Sequence, residues 1–249
     1  MNFRSVFLSD IHLGNKWCRA SQLDSFLSLM SCENLYLLGD VFEGWSGKTS
    51  ATWNLRRHPL MRKVMTMARV SKTQYITGNH DAFLDKFSGS SFDGIELLKG
   101  SFHTALDGRR LLLVHGDEFD IISRYRKHLA MLGHTAYQAA MSINSTFESL
   151  FSGKKEKNLA MANYFKHKVK DLVQKISDFD NSIKSAAKNR GADGIICGHI
   201  HRPEMRIIGD TSYYNCGDWL ESCSALVENF DGTFEIIRWN NGPETLFVQ

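Results

Sequence analysis

The chain has 249 residues, 43% of them hydrophobic and 23% charged, with 30 Lys and Arg against 27 Asp and Glu. That is enough apolar material to bury a core unaided, as one domain or as a core carrying a large insertion. Cys18, Cys32, Cys197, Cys216 and Cys223 are odd in number and form no C-x-x-C pair. This argues against a disulfide framework or a thiolate metal site and fits a reducing cytoplasm.

The opening MNFRSVFLSD reaches an acidic residue too early for a cleaved signal peptide. No apolar run approaches the roughly 18 to 20 residues that cross a bilayer. Short apolar runs that end in polar residues predict buried strands at 5–10, 34–40, 74–81, 110–117 and 194–201. After the first, Leu23, Phe26, Leu27 and Met30 repeat at i, i+3, i+4 and i+7, which predicts an amphipathic helix. Pro59 opens another, with Leu60, Val64, Met65 and Ala68 on one face. The alternation is that of βαβ units. Asp107-Gly108 and Asp231-Gly232, each flanked by strand-like residues, predict β-hairpins.

The segment from Glu118 to Arg190 breaks this rhythm. It is poor in strand signals and carries 13 Lys and Arg against 7 Asp and Glu. The expected organisation is an α/β core over 1–117 and 191–249, with two mixed sheets packed face to face and helices outside. A helical insertion, or cap, over 118–190 belongs to the same domain.

Loops after parallel strands gather at the carboxyl edge of a sheet, where open α/β folds bind ligands. The predicted strand ends offer Asp10 and His12, Asp40, Asn79 with His80 and Asp81, His115, and His199 with His201. Any one of these is ordinary as a turn or cap residue, but coincidence would have to repeat at five successive strands. Carboxylate, amide and imidazole suit Mn²⁺, Fe²⁺, Zn²⁺ or Co²⁺. The candidate ligands exceed what one ion takes while leaving a position for substrate. Two ions about 3.5 to 4 Å apart, sharing a carboxylate, are therefore expected.

The ordered blocks Asp10-Ile11-His12, Gly39-Asp40, Gly78-Asn79-His80-Asp81, His115 and Gly198-His199-Ile200-His201 resemble those of the calcineurin-like metallophosphoesterases, over a skeleton of residues 5–219. The resemblance implies a four-layer α-β-β-α sandwich. It also implies that one metal takes Asp10, His12 and His201, that the other takes Asn79, His115 and His199, and that Asp40 bridges them. His80 would approach the substrate phosphate and leaving oxygen, with Glu43 holding its ring in the needed tautomer.

Within that family, DIHLG, GDVFEGW and GHIHRPE are similar to segments of the UDP-2,3-diacylglucosamine diphosphatases of lipid A synthesis. This implies Mn²⁺-dependent hydrolysis of a pyrophosphate to UMP and a diacyl sugar 1-phosphate. Those enzymes carry G-N-R-D where this chain has Gly78-Asn79-His80-Asp81, the form of general phosphoesterases. The basic residues nearest the metal motifs, Arg124, Arg126, Lys127 and Arg202, are the candidate phosphate contacts. Cations of the insertion would meet phosphate or an anionic membrane surface, and its stretch 131–151 would line an acyl groove. The alternative for the insertion is an ordinary helical subdomain with solvated lysines.

A metal-dependent DNA nuclease is a second enzyme reading, since nuclease members also carry D-x-H-L-G and G-N-H-D. The insertion interleaves aliphatic more than aromatic residues, which argues against a nucleic-acid partner. A non-catalytic scaffold is a third reading, opposed by the complete ligand set. Gly47-Lys48-Thr49 lacks the first glycine of a P-loop, because that position is Phe42. Asn215-Cys216-Gly217-Asp218-Trp219 reads either as a strand-ending turn or as contact with the site. The expected location is the cytoplasm, peripheral to the inner membrane.

Overall fold

The computed structural model describes residues 1–43, 58–119 and 179–249. The chain divides into two compact units, Met1–Glu118 with Ile183–Gln249, and Phe119–Ser182. Most of the expected insertion, with Arg124, Arg126 and Lys127, lies outside the described residues, as do Gly47-Lys48-Thr49. The first unit carries the sheets.

Its strands are β1 (Asn2–Leu8), β2 (Ser31–Leu38), β3 (Lys72–Ile76), β4 (Ser91–Phe92), β5 (Ile95–Leu98), β6 (Ser101–Thr104), β7 (Arg110–Leu113), β8 (Gly194–Cys197), β9 (Glu204–Ile208), β10 (Thr211–Asn215), β11 (Ser224–Glu228), β12 (Phe234–Trp239) and β13 (Pro243–Val248). The larger sheet has the order β13-β12-β11-β1-β2-β3-β5-β4, and the smaller has the order β6-β7-β8-β10-β9. Both are mixed. The strands β1, β2, β3 and β5 run parallel, as do β7, β8 and β10, and antiparallel neighbours close each sheet. The hairpins predicted at Asp107-Gly108 and Asp231-Gly232 join β6 to β7 and β11 to β12.

The central strands are apolar on both faces, as parallel strands covered on both sides must be. Phe7, Tyr36, Leu38 and Ile76 of the larger sheet pack with Leu111, Leu113, Ile196 and Tyr214 of the smaller. Phe7 stacks on Tyr36 with ring centroids 4.8 Å apart. The alternate residues Val6, Leu8, Leu35 and Leu37 face the other way, against α1 (Ala20–Leu29) and α2 (Pro59–Met67). Helix α1 buries Leu23, Phe26 and Leu27, the residues its spacing singles out. In α2 the buried face is Leu60, Met61 and Val64, with Met65 and Ala68 only partly buried. The stripe is therefore rotated toward Met61.

A polar cluster stands between the sheets near the start of β1. The Glu228 carboxylate is fully buried and accepts hydrogen bonds from Arg4 Nη1 at 2.5 Å, Ser5 Oγ at 3.0 Å and the Leu106 backbone N–H at 2.8 Å. His103 Nε2 lies 2.8 Å from the same carboxylate, and Tyr36 Oη lies 3.1 Å from His103 Nδ1. Burial alone would raise the pKa of Glu228, but His103, the Leu106 amide and Arg4 hold it below the usual glutamate range. Because the folded value lies below the unfolded one, this stabilisation is complete above the unfolded value and is lost as pH falls through the folded one. Glu228→Ala should cost about 3 kcal/mol at neutral pH, the scale for breaking a buried ion pair. In Glu228→Gln the loss of stability on acidification should be shallower than in the wild type. Urea titrations across the acid range measure both.

Candidate metal centre

Each parallel strand of both sheets that carries a predicted motif delivers it at its carboxyl end. Leu8 of β1 leads to Asp10 and His12, Leu38 of β2 to Asp40, and Ile76 of β3 to Asn79 and His80. From the smaller sheet, Leu113 of β7 leads to His115, and Cys197 of β8 to His199 and His201. The two edges meet, and all the predicted ligands come together.

The donor atoms fall into two sets around one oxygen. In the first set, Asp10 Oδ1 lies 3.2 Å from His201 Nε2 and 3.8 Å from His12 Nε2, and the two imidazole nitrogens are 3.4 Å apart. In the second, His115 Nε2 lies 3.2 Å from both Asn79 Oδ1 and His199 Nδ1. Between them stands Asp40 Oδ2, 3.8 Å from His12 Nε2 and 3.3 Å from His115 Nε2. His80 Nε2 faces the same oxygen at 3.9 Å.

Asp10 Oδ1 is buried without a hydrogen-bond partner, an arrangement that is costly unless a cation compensates it. The second oxygen of Asp10 is used structurally, accepting from Ser9 Oγ at 2.6 Å and His199 N–H at 2.7 Å. Asp40 divides its oxygens in the same way, Oδ1 accepting from His80 N–H at 2.8 Å. A buried orphan oxygen among nitrogen and oxygen donors fits divalent metal ions, and no cysteine belongs to any of the three clusters of potential ligands among the described residues.

Electrostatics agrees with the geometry. Burial would raise the pKa of Asp10, yet the His12 and His201 imidazoles close to Oδ1 and the field of His115 hold it far below the usual carboxylate range. Asp40 is likewise lowered, burial being outweighed by His115. The reciprocal effect acts on His115: burial lowers its pKa, but Asp40 and Asp10 push it up to about 10. The site therefore favours positive charge in the space between these carboxylates.

The imidazoles are oriented from behind. His115 Nδ1 donates to Leu38 O at 2.8 Å, which turns Nε2 toward the centre. One carboxylate serves two rings. Glu43 Oε1 lies 2.7 Å from His80 Nδ1 and Oε2 lies 3.2 Å from His12 Nδ1, while Asn15 Nδ2 donates to Oε2 at 3.2 Å. Burial pulls the Glu43 pKa up, but His80 and Asn15 hold it below the usual range.

The backbone is bent to allow this. Asp10, His12, Asp40, His199 and His201 all have φ between 51° and 68°, the left-handed region that costs a non-glycine residue about 1–2 kcal/mol. Adjacent glycines are there for space. A Cβ on Gly198 would collide with Ser9 Oγ and Asp10 Oδ2, one on Gly39 with the His115 ring, and one on Gly78 with Asp40 Oδ1.

Three supporting residues hold the loops: Asp81 and Asn215 stand in segments the sequence singles out, and only Ser9 carries no signal of its own. Asp81, fully buried, accepts from Val41 N–H at 2.8 Å, Gly78 N–H at 2.5 Å and Tyr75 Oη at 2.5 Å, and so ties the loops after β2 and β3 together. Ser9 anchors Asp10, as above. Asn215 donates to Gly198 O at 2.6 Å and accepts from Gly217 N–H at 3.0 Å, which makes the 215–219 segment a brace for the His199 turn. Trp219 N–H donates to Asp10 O at 3.0 Å from the same brace. Arg202 is exposed immediately after His201.

Two mixed sheets whose joined edges hold clustered histidines and carboxylates define the class: a metal-dependent hydrolase. The chain belongs to the calcineurin-like phosphoesterase family, whose sequence pattern matches residues 3–203. Curated relatives include proteins named UDP-2,3-diacylglucosamine hydrolase. The one from Shewanella loihica is 28% identical over 238 residues, covering 91% of this chain and 92% of that protein. The one from Aliivibrio fischeri is 30% identical over 236 residues, covering 89% and 92%. Among solved structures, the fold is similar to Yfce, a phosphoesterase from E. coli, with a TM-score of 0.50, 15% identity and coverage of 98% of this chain and 97% of that one. It is also similar to vacuolar protein sorting 29 from Cryptosporidium parvum, with a TM-score of 0.51, 10% identity and coverage of 98% and 95%.

Gly198→Ala should leave the circular dichroism spectrum unchanged and remove most bound metal, as measured by elemental analysis after loading and desalting. Retention of wild-type metal content would show that the His199 turn tolerates the Cβ.

Proposed function

We propose that the chain is a binuclear diphosphatase that hydrolyses UDP-2,3-diacylglucosamine, or a close nucleotide-linked lipid, to UMP and an acylated sugar 1-phosphate. The observation that carries the binuclear part is the position of Asp40 Oδ2 between two sets of donors. The names of the relatives, which align over nearly the whole chain, support the substrate. Asp10, His12 and His201 hold one ion, Asn79, His115 and His199 the other, and Asp40 is shared. Mn²⁺ is the first choice for both. When bound there, such ions supply Lewis acidity and a water that is nucleophilic near neutral pH.

The protein's own groups divide the remaining work. Asn79, His115 and Asp40 fix the place where the reacting phosphate must lie. Glu43 takes the Nδ1 proton of His80 into a 2.7 Å contact, which leaves Nε2 as the atom that exchanges a proton with the leaving oxygen. The His80 side chain keeps 30% of its surface exposed, against 4% for His12 and 1% for His115, so it can meet a ligand from which those two rings are shielded. Arg202, with Arg124, Arg126 and Lys127, supplies further phosphate contacts, and the cations of the basic insertion attract an anionic membrane surface. No helix among the described residues is long and apolar enough to cross a membrane.

A Mn²⁺-supplemented panel of UDP-2,3-diacylglucosamine, an unacylated UDP-sugar, bis(p-nitrophenyl) phosphate and single-stranded DNA tests the reading. UMP should appear fastest from the acylated substrate, and DNA cleavage at comparable efficiency would overturn it in favour of a nuclease. Chelation should abolish turnover and Mn²⁺ should restore it. His80→Ala should lower kcat by roughly 10²- to 10⁴-fold, the usual contribution of a proton-transfer group, with metal content retained. His115→Ala should lose both metal and turnover.

A further inference from the structure

On the side of the centre that carries Asn79 and His115, a cavity of about 410 Å³ opens directly from those two residues. Its size is that of a small-molecule site. Around it stand Thr77, Asp85, Lys99, Glu118 and Arg190, with Asp117 beside them. This lining repels a hydrocarbon chain, because methylenes would strip water from charged groups without replacing the hydrogen bonds.

Both cations are held in place. Arg190 donates from Nη1 and Nη2 to the two carboxylate oxygens of Glu118 at 2.9 and 2.8 Å. The backbone beneath it is gripped by Arg110, whose Nη1 donates to Arg190 O at 3.0 Å and Gly191 O at 2.9 Å. Lys99 Nζ pairs with Asp85 at 2.9 Å, and Asp85 accepts from Thr77 Oγ1 at 2.6 Å. Thr77 directly precedes Gly78-Asn79, so this wall is continuous with the candidate metal centre.

The charges decide what kind of group belongs here. Lys99 and Arg190 are outnumbered by Asp85, Asp117 and Glu118. A phosphate, which only accepts hydrogen bonds at full charge, is repelled by the acids. A neutral group that both donates and accepts matches the pairs. A guanidinium has five N–H donors and an ammonium three. The pairs described use two and one of them, and the rest suit carbonyl oxygens, while the carboxylates suit hydroxyl and ring N–H donors.

We infer that this cavity receives the nucleoside of a nucleotide-linked substrate, with Arg190 and Lys99 donating to the base carbonyls and Asp85 and Glu118 accepting from the ribose hydroxyls. The phosphate then lies outside the cavity, at Asn79 and His115. The assignment rests on the diphosphatase reading for the direction in which the substrate lies, and it makes the UMP half, not the acylated sugar phosphate that leaves, the part recognised by this wall.

Titration calorimetry on the Mn²⁺-loaded full chain tests it, with UMP, N-acetylglucosamine 1-phosphate and inorganic phosphate as probes. In Arg190→Ala and in Lys99→Ala, UMP affinity should fall about tenfold, the scale of one lost hydrogen bond to a charged group. The sugar phosphate and phosphate should keep their wild-type affinities. Arg190→Lys, which keeps the charge and loses the fork, should lie between. Absence of UMP binding by the wild type, unchanged UMP affinity in both alanine variants, or a loss seen equally with phosphate would overturn the inference. Melting curves establish that the variants fold. If the wild type binds UMP through Arg190 and Lys99 yet releases none from UDP-2,3-diacylglucosamine, the proposed substrate fails and the nucleoside site stands.

Discussion

Two carboxylates, Asp10 and Asp40, lie buried where the edges of two sheets meet, and most of the surrounding structure answers to that fact. Ionised groups removed from water cost several kcal/mol each unless opposite charge and hydrogen bonds compensate. Here one oxygen of each is spent on backbone amides, His199 for Asp10 and His80 for Asp40. The other faces inward among imidazole nitrogens. The depressed pKa values of the acids and the raised value of His115 describe a space arranged for cations.

Holding that arrangement takes unfavourable backbone. Five candidate ligand residues, two aspartates and three histidines, occupy the left-handed region, which Asp and His enter more readily than most side chains but still at a cost. They persist because the surroundings over-determine them: the 215–219 brace on the His199 turn, Asp81 between the loops after β2 and β3, and Glu43 behind two rings. Such strain is characteristic of sites in which geometry matters more than stability. The glycines before Asp40, Asn79 and His199 belong to the same account, since each leaves room that a candidate ligand side chain fills.

Much of this was legible in the amino-acid order. Parallel strands covered on both faces produce the uninterrupted apolar runs at Val6–Leu8 and Leu35–Leu38, and polar residues at their carboxyl ends mark the joined edge. The three-and-four spacing of Leu23, Phe26 and Leu27 is a direct imprint of the helix they form. What escaped has no period to reveal it. Met61 faces the core because α2 is rotated against the sheet, a matter of packing. The strands β9 and β13 are half or fully exposed along much of their length and lack alternation. Glu43 is legible as a partner for His80, but its second contact, to His12, depends on how two loops lie in space. The bond from Asn215 to Gly198 spans 17 positions and leaves no local trace.

Each set of donors draws on both sheets. Asp10 and His12 follow a strand of the larger sheet while His201 follows one of the smaller, and Asn79 is similarly matched with His115 and His199. The distance between the two donor sets is thus a dimension of the sandwich, fixed by how thickly Phe7, Tyr36, Ile196 and Tyr214 fill the gap between its halves. Aromatic packing in the interior works as a calliper. Through it, a methyl group gained or lost deep in the interior can change the spacing of donors at the edge.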